Sequence, residues 1–179
     1  VEPGIPPRTD RLGALQRQRS RHAPARSRTL PVATVSTNDD GGPSVIELPR
    51  DVRDAIVDHA REGAPAEVCG VLAGSHTPDE SRVERAHRTP NVASSPRVTY
   101  EIDPEVLFET IEEIESAGRE VVGFYHSHPD GPPRPSPTDE ARATWEGYSY
   151  VIVEPGADPR VGSWRWTGET FEEEPIEIE

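Results

Sequence analysis

Between residues 103 and 139 the chain has little conformational freedom, and this stretch limits the folds it can join. "DPEVLFETIEEIESAG" opens on an aspartate and a proline, repeats apolar residues at helical spacing and ends at Gly118. That pattern predicts a helix capped by Asp103, with Pro104 in its first turn. "EVVGFYHSH" follows at once, and its length and β-branched content predict a strand over residues 120–128. Prolines at 129, 132, 133, 135 and 137 then prevent a regular continuation as helix or sheet. "SPTDEARATWEG" restarts with a serine cap and predicts a further helix over residues 136–147.

The remainder supplies partners for that strand. "LPRDVRDAIVDHAREGAP" places Val52, Ile56 and Val57 at helical spacing and stops at Gly63. "EVCGVLAGS" (67–75), "SRVERAHRTPN" (81–91) and "RVTYEID" (97–103) read as strands. "YSYVIVEPG" and "RVGSWRWTG" read as a hairpin turning at "PGADP". Helices alternate with strands without a regular βαβ rhythm, so the expectation is one α/β (α+β) domain, a mixed sheet flanked by helices.

Charge marks out the ends. All 19 basic residues are arginine, against 33 acidic residues, for a net charge of −14. Residues 1–38 hold seven arginines and two acids, which is +5 and leaves −19 for the rest. Residues 1–44 are therefore read as a disordered Arg/Pro-rich extension and residues 45–179 as the domain. The extension could be a basic arm, a transit peptide or a dispensable tail, and a dispensable tail is the expectation. The chain has no methionine, which leaves its start open. The final "ETFEEEPIEIE" is expected to be an acidic, half-ordered, solvated end.

Several function classes are excluded. The negative charge disfavours nucleic acid, no apolar run reaches membrane-spanning length, and lysine-based catalysis is impossible. The single cysteine, Cys69, fits a cytoplasmic protein without internal disulfides. An acidic, lysine-free composition also looks like that of proteins from salt-loaded cytoplasms, though a GC-rich genome could produce part of it.

In "VVGFYHSH", residues two apart share a face, so His126 and His128 project together and Tyr125 and Ser127 oppositely. Two imidazoles need a third ligand to hold zinc, and Asp139, beyond the proline loop, is the candidate. Three protein ligands would leave a fourth position open, as catalytic zinc requires. Ser136-Pro137-Thr138-Asp139 is also a well-formed helix start on its own, so the spacing alone leaves both readings open.

The motif is more specific than the spacing. "HSHPDGPPRPSPTD" resembles the His-x-His, seven-residue gap, Ser-x-x-Asp signature of the JAMM (MPN+) metalloprotease family. "PAEVCGVLAG" is similar to that family's Pro-x-Glu-x-Cys-Gly strand, and "PNVASSPRVTYEIDPE" to its linking region. The resemblance covers about residues 45–165. It implies the MPN fold, cytidine-deaminase-like in architecture, and one Zn2+ held by His126, His128 and Asp139. It also implies Glu67 as the acid/base that takes a proton from the attacking water and passes it to the leaving amine. Ser136 would stabilise the oxyanion.

Among small family members the composition points to the archaeal desampylases. The resemblance then implies isopeptide or peptide hydrolysis after the terminal Gly-Gly of ubiquitin-like modifier proteins, whose conjugates would be the partners. The alternatives are a peptidase that trims a sulfur-carrier protein and a non-catalytic MPN scaffold. A cysteine protease built on Cys69 is weaker, because "VCGVL" reads as a buried strand. His59, His76 and His87 read as surface residues, Trp164 and Trp166 as packing. Asn91, Ser94 and Ser95 are candidates for a substrate groove only through the family-like segment.

Overall fold

The computed structural model describes residues 45–77 and 80–179; the expected 1–44 extension lies outside them. The elements are β1 (Val45–Glu47), α1 (Arg50–Gly63), β2 (Cys69–His76), β3 (Glu80–Thr89), α2 (Pro104–Ser116) and β4 (Glu120–Ser127). There follow α3 (Pro137–Arg142), β5 (Ser149–Glu154), β6 (Arg160–Trp166), β7 (Phe171–Glu174) and β8 (Ile176–Glu177). All eight strands form one mixed sheet in the order β7-β6-β5-β4-β2-β3-β1-β8. The fold is α+β, as expected.

The apolar stripe of α1 (Val52, Ile56, Val57, Ala60) packs on Leu72, Val122, Tyr125, Val151 and Val153 of the central strands. His59 of the same helix lies 2.8 Å from the Tyr125 hydroxyl, which places Tyr125 on the α1 side of β4. Strand alternation sends Phe124 and His126 to the other face. There Leu107 of α2 and Phe124 border a common cavity. The Asp103 side chain accepts from Glu105 N at 2.8 Å and caps α2, a contribution of about 1 kcal/mol.

Strands β7 and β8 occupy opposite ends of the sheet order yet are separated in sequence only by Pro175, so the sheet must curl back on itself. The same curvature lets Ser149 of β5 donate to Ser81 of β3 at 3.1 Å, although two strands lie between them.

The tail departs from expectation. Glu174 is 2% exposed and accepts from Arg165 Nη2 at 2.7 Å and from Ser163 Oγ at 2.8 Å. The acidic end thus supplies an edge strand whose buried carboxylate neutralises a partly buried arginine. Removing one partner of such a pair costs about 3–5 kcal/mol. Glu174→Ala is expected to lower stability by that order, measured as the denaturant midpoint at constant m-value.

Other expectations are corrected locally. Residues 97–103 form a loop with one bridge, Asn91 to Ile102, instead of a strand. The Asn91 side chain organises that loop, donating to Thr99 O and accepting from Glu101 N, and these local bonds replace a ladder. The helix after Ser136 ends at Arg142 rather than near Gly147 because Ala143 turns to extended backbone. Trp145 then leaves the helix path to pack on Phe124, ring centroids 5.3 Å apart. His59, His76 and His87 are half-buried rather than exposed; His76 Nδ1 lies 3.1 Å from Ser81 Oγ. Among the described residues no helix is long and apolar enough to cross a membrane.

Candidate metal centre

The C-terminal end of β4 carries His126, and His128 follows one residue past the strand. Both are buried, at 1% and 8% exposure. The proline loop brings Asp139, on the first turn of α3, opposite them. Asp139 Oδ1 lies 3.3 Å from His126 Nε2, and Oδ2 lies 3.3 Å from His128 Nε2. The two Nε2 atoms are 3.1 Å apart.

A tetrahedral ion with ligands at about 2.0–2.1 Å sets its donor atoms about 3.4 Å apart, so the three spacings fit such an ion. The protonation pattern fits as well. His128 Nδ1 lies 3.0 Å from Pro132 O, a carbonyl that can only accept, so Nδ1 carries the proton. In the neutral ring this leaves the Nε2 lone pair facing the cluster. Among the described residues these three are the group able to hold a metal.

Each ligand has its own support. Ser136 caps α3: its Oγ accepts from Asp139 N at 3.2 Å, while Asp139 Oδ2 accepts from Ser136 N at 2.7 Å. The helix cap and the ligand position are therefore one structure. Burial works against the Asp139 charge, but the two imidazoles beside it and the Ser136 N–H outweigh it and hold the carboxyl well below its usual range. Burial lowers His126, partly opposed by Asp139. At His128 the Asp139 and Pro132 hydrogen bonds outweigh burial and raise it.

His126 Nδ1 is buried with no hydrogen-bond partner among the described residues. Its ring is held instead by stacking on Tyr100, centroids 4.4 Å apart and planes 25° from parallel. Arg142 Nη1 in turn donates to Thr99 Oγ1 and Tyr100 O at 3.2 and 3.3 Å, tying that loop to the helix bearing Asp139. Neither Tyr100 nor Arg142 was foreseen from the sequence.

Glu67 precedes β2 rather than starting it, and the sheet register explains its position. Cys69 pairs with His126 in the antiparallel β2–β4 ladder. Two bonds continue that pairing: Ser127 N donates to Val68 O, and Ser127 Oγ accepts from Val68 N, each at 3.0 Å. Glu67 is thereby brought abreast of His128, and both border one cleft with Arg97, Gly131 and Ser136. Ser127, the middle residue of His-x-His, is a contributor that spacing arguments passed over. Glu67 is 6% exposed, and its Oε2 has no hydrogen-bond partner among the described residues. Burial pushes its carboxyl up to about 7, with His128 pulling it down and Asp139 pushing it up.

Other candidates separate from the centre. Burial pushes the Cys69 thiol up to about 11, and Sγ sits 3.5 Å from Thr89 Oγ1, which makes it a poor nucleophile. Asn91 donates to Glu67 O at 2.8 Å and so acts on the site through the backbone. Ser94 and Ser95 are exposed and do not border the cleft, whereas Arg97 and Val98 do. Trp166 is buried packing, and Trp164 Nε1 donates to Pro133 O at 3.1 Å, tethering the proline loop.

Gly162 lets β6 approach the same carbonyl, because a Cβ there would run into Pro133 O. Gly162→Ala is expected to displace the loop that holds the His128 tautomer. Such supporting partners are worth about 10–100-fold in metal affinity. Competition with a chromogenic chelator should show a loss in that range, and unchanged affinity would separate the loop from the ligands.

A family profile described as "Prokaryotic homologs of the JAB domain" matches residues 49–167. The chain is 51% identical over 140 residues to the desampylase of Haloferax volcanii, covering 76% of this chain and 98% of that protein. It is 34% identical over 137 residues to the CysO-cysteine peptidase of Mycobacterium tuberculosis, covering 75% of this chain and 91% of the relative. A solution structure of a Desulfitobacterium hafniense protein superposes with a TM-score of 0.69 at 29% identity, covering 75% of this chain and 93% of the other.

Proposed function

From the premise that the chain belongs to the prokaryotic homologs of the JAB domain, we propose that it is a zinc-dependent isopeptidase. Its substrates are bonds after the terminal Gly-Gly of ubiquitin-like modifier proteins. The observation that carries this reading is a donor set spaced for a tetrahedral ion beside a buried carboxyl in the same cleft. Similarity to the Haloferax desampylase over nearly its whole length supports the substrate class. Similarity to the CysO-cysteine peptidase keeps carrier-protein trimming as a second reading.

His126, His128 and Asp139 are the residues that would hold zinc. The ion would supply a Lewis acid that polarises the scissile carbonyl and acidifies the attacking water. Everything else falls to the chain. Glu67, a carboxyl that burial pushes up from its ordinary range, takes the proton from the attacking water and returns it to the departing amine, since amide cleavage needs both transfers. The Ser136 hydroxyl accepts from Asp139 N, which leaves its own proton free to donate to the developing oxyanion. The Tyr100 ring excludes water from one face of His126.

The test is a diglycine-ended modifier joined to a lysine peptide, incubated with and without chelator and read by mass. The expected products are intact modifier ending in Gly-Gly and free lysine peptide, formed only without chelator. Cleavage that survives chelation but stops on thiol alkylation contradicts the reading.

A further inference from the structure

Two openings meet at the ligand cluster. One is the cleft bordered by Glu67, His128, Gly131 and Ser136. The other is a cavity of about 340 Å³ that Asp139, Glu101 and Arg142 line together with an aromatic and apolar wall of Tyr100, Leu107, Phe124, Trp145 and Tyr150. Its rings form a continuous surface: Phe124 lies 5.3 Å from Trp145 and 5.6 Å from Tyr150, centroid to centroid. Trp145 N lies 3.4 Å from the Tyr150 hydroxyl, which fixes the indole's segment to the sheet. The Tyr100 ring both stacks on His126 and lines this cavity, so the apolar wall reaches the candidate reaction centre directly.

An aromatic wall binds apolar groups, and the two sides of the proposed scissile bond differ sharply in what they offer. The diglycine side has no side chain. The amine side of an isopeptide bond carries the four methylenes of a lysine stem. We propose that this aromatic cavity is the slot for the leaving lysine's alkyl stem, making the enzyme selective for isopeptide over side-chain-less peptide linkages. The proposal rests on the hydrolase reading above and adds the acceptor side of its specificity. Burying part of a butyl stem corresponds to about ten- to a hundredfold in kcat/KM.

Three substrates test it, sharing one modifier and one Gly-Gly end: a lysine isopeptide, an n-butyl amide and a linear bond to glycine. The lysine and butyl substrates are expected to exceed the glycine substrate at least about tenfold in kcat/KM. In Trp145→Ala the ratio should fall about tenfold from the parent's, and comparing the two ratios cancels differences in leaving-amine reactivity. A second measurement needs neither turnover nor metal. Nε-(glycylglycyl)lysine titrated into metal-free protein should produce a saturable change in tryptophan fluorescence that is absent from Trp145→Phe, whose other tryptophans remain. If the substrates are cleaved with no stem preference, or the preference survives in Trp145→Ala, the slot is wrong and the hydrolase reading stands. In a parallel series that varies the residue before Gly-Gly, rates that follow that residue and not the leaving amine give the cavity to the modifier and overturn the slot. If no diglycine substrate is cleaved, the hydrolase reading fails and the slot with it.

Discussion

Glu67→Gln is expected to lose about 10²–10⁴-fold in kcat, the range for removal of a general acid–base, while keeping metal affinity near that of the parent. The substitution preserves shape and replaces a carboxyl that burial has already pushed up to about 7. It should also leave stability unchanged or raise it, because a buried carboxyl without a partner for Oε2 works against folding. The combination of full metal content, equal or higher melting temperature and collapsed turnover is specific. A structural carboxylate would give a lower melting temperature, and a metal ligand would give lost metal. Turnover within tenfold of the parent would remove Glu67 from proton transfer.

Asp139→Asn is expected to act on the opposite quantities. Asp139 is the anion in the donor set and the acceptor for Ser136 N. The amide keeps a capping oxygen but loses the charge that balances the ion. Affinity should fall more than about a hundredfold, beyond the range of outer-sphere substitutions, and activity should return partly with excess zinc. Isothermal titration gives the affinity and a zinc series the rescue. For Glu67→Gln the same series should show no rescue, which distinguishes a ligand from an acid–base. Parent-like affinity in Asp139→Asn would remove it from the donor set.

The legibility of the site followed the range of the interactions that build it. His126 and His128 sit two apart on a strand, so pleat geometry alone aligned them. Asp139 was legible because the Ser136 cap and the ligand share one turn. Glu67 is different. Its place beside His128 depends on the register of two strands nearly sixty residues apart in sequence and on Ser127 bonding Val68. Local pattern contains none of that, and the motif resemblance supplied it.

The misreadings have the same origin. "RVTYEID" has the residues of a strand, but the Asn91 side chain takes its backbone bonds. That frees Tyr100 to cover His126. Glu174 looked like part of a solvated run because its partners, Ser163 and Arg165, meet it only once β6 and β7 have paired. Sequence reading located the chemistry along one strand and one helix start. The walls around it come from side chains that meet only in the folded sheet.

The most direct measurement is a zinc titration of metal-stripped protein, with release of a lysine peptide from its diglycine-linked modifier followed continuously. Activity is expected to rise from none and break sharply at one equivalent per chain, with bound metal reaching the same stoichiometry. Hydrolysis by the stripped protein at the restored rate, or one equivalent bound with no hydrolysis of any diglycine-linked substrate, would contradict it.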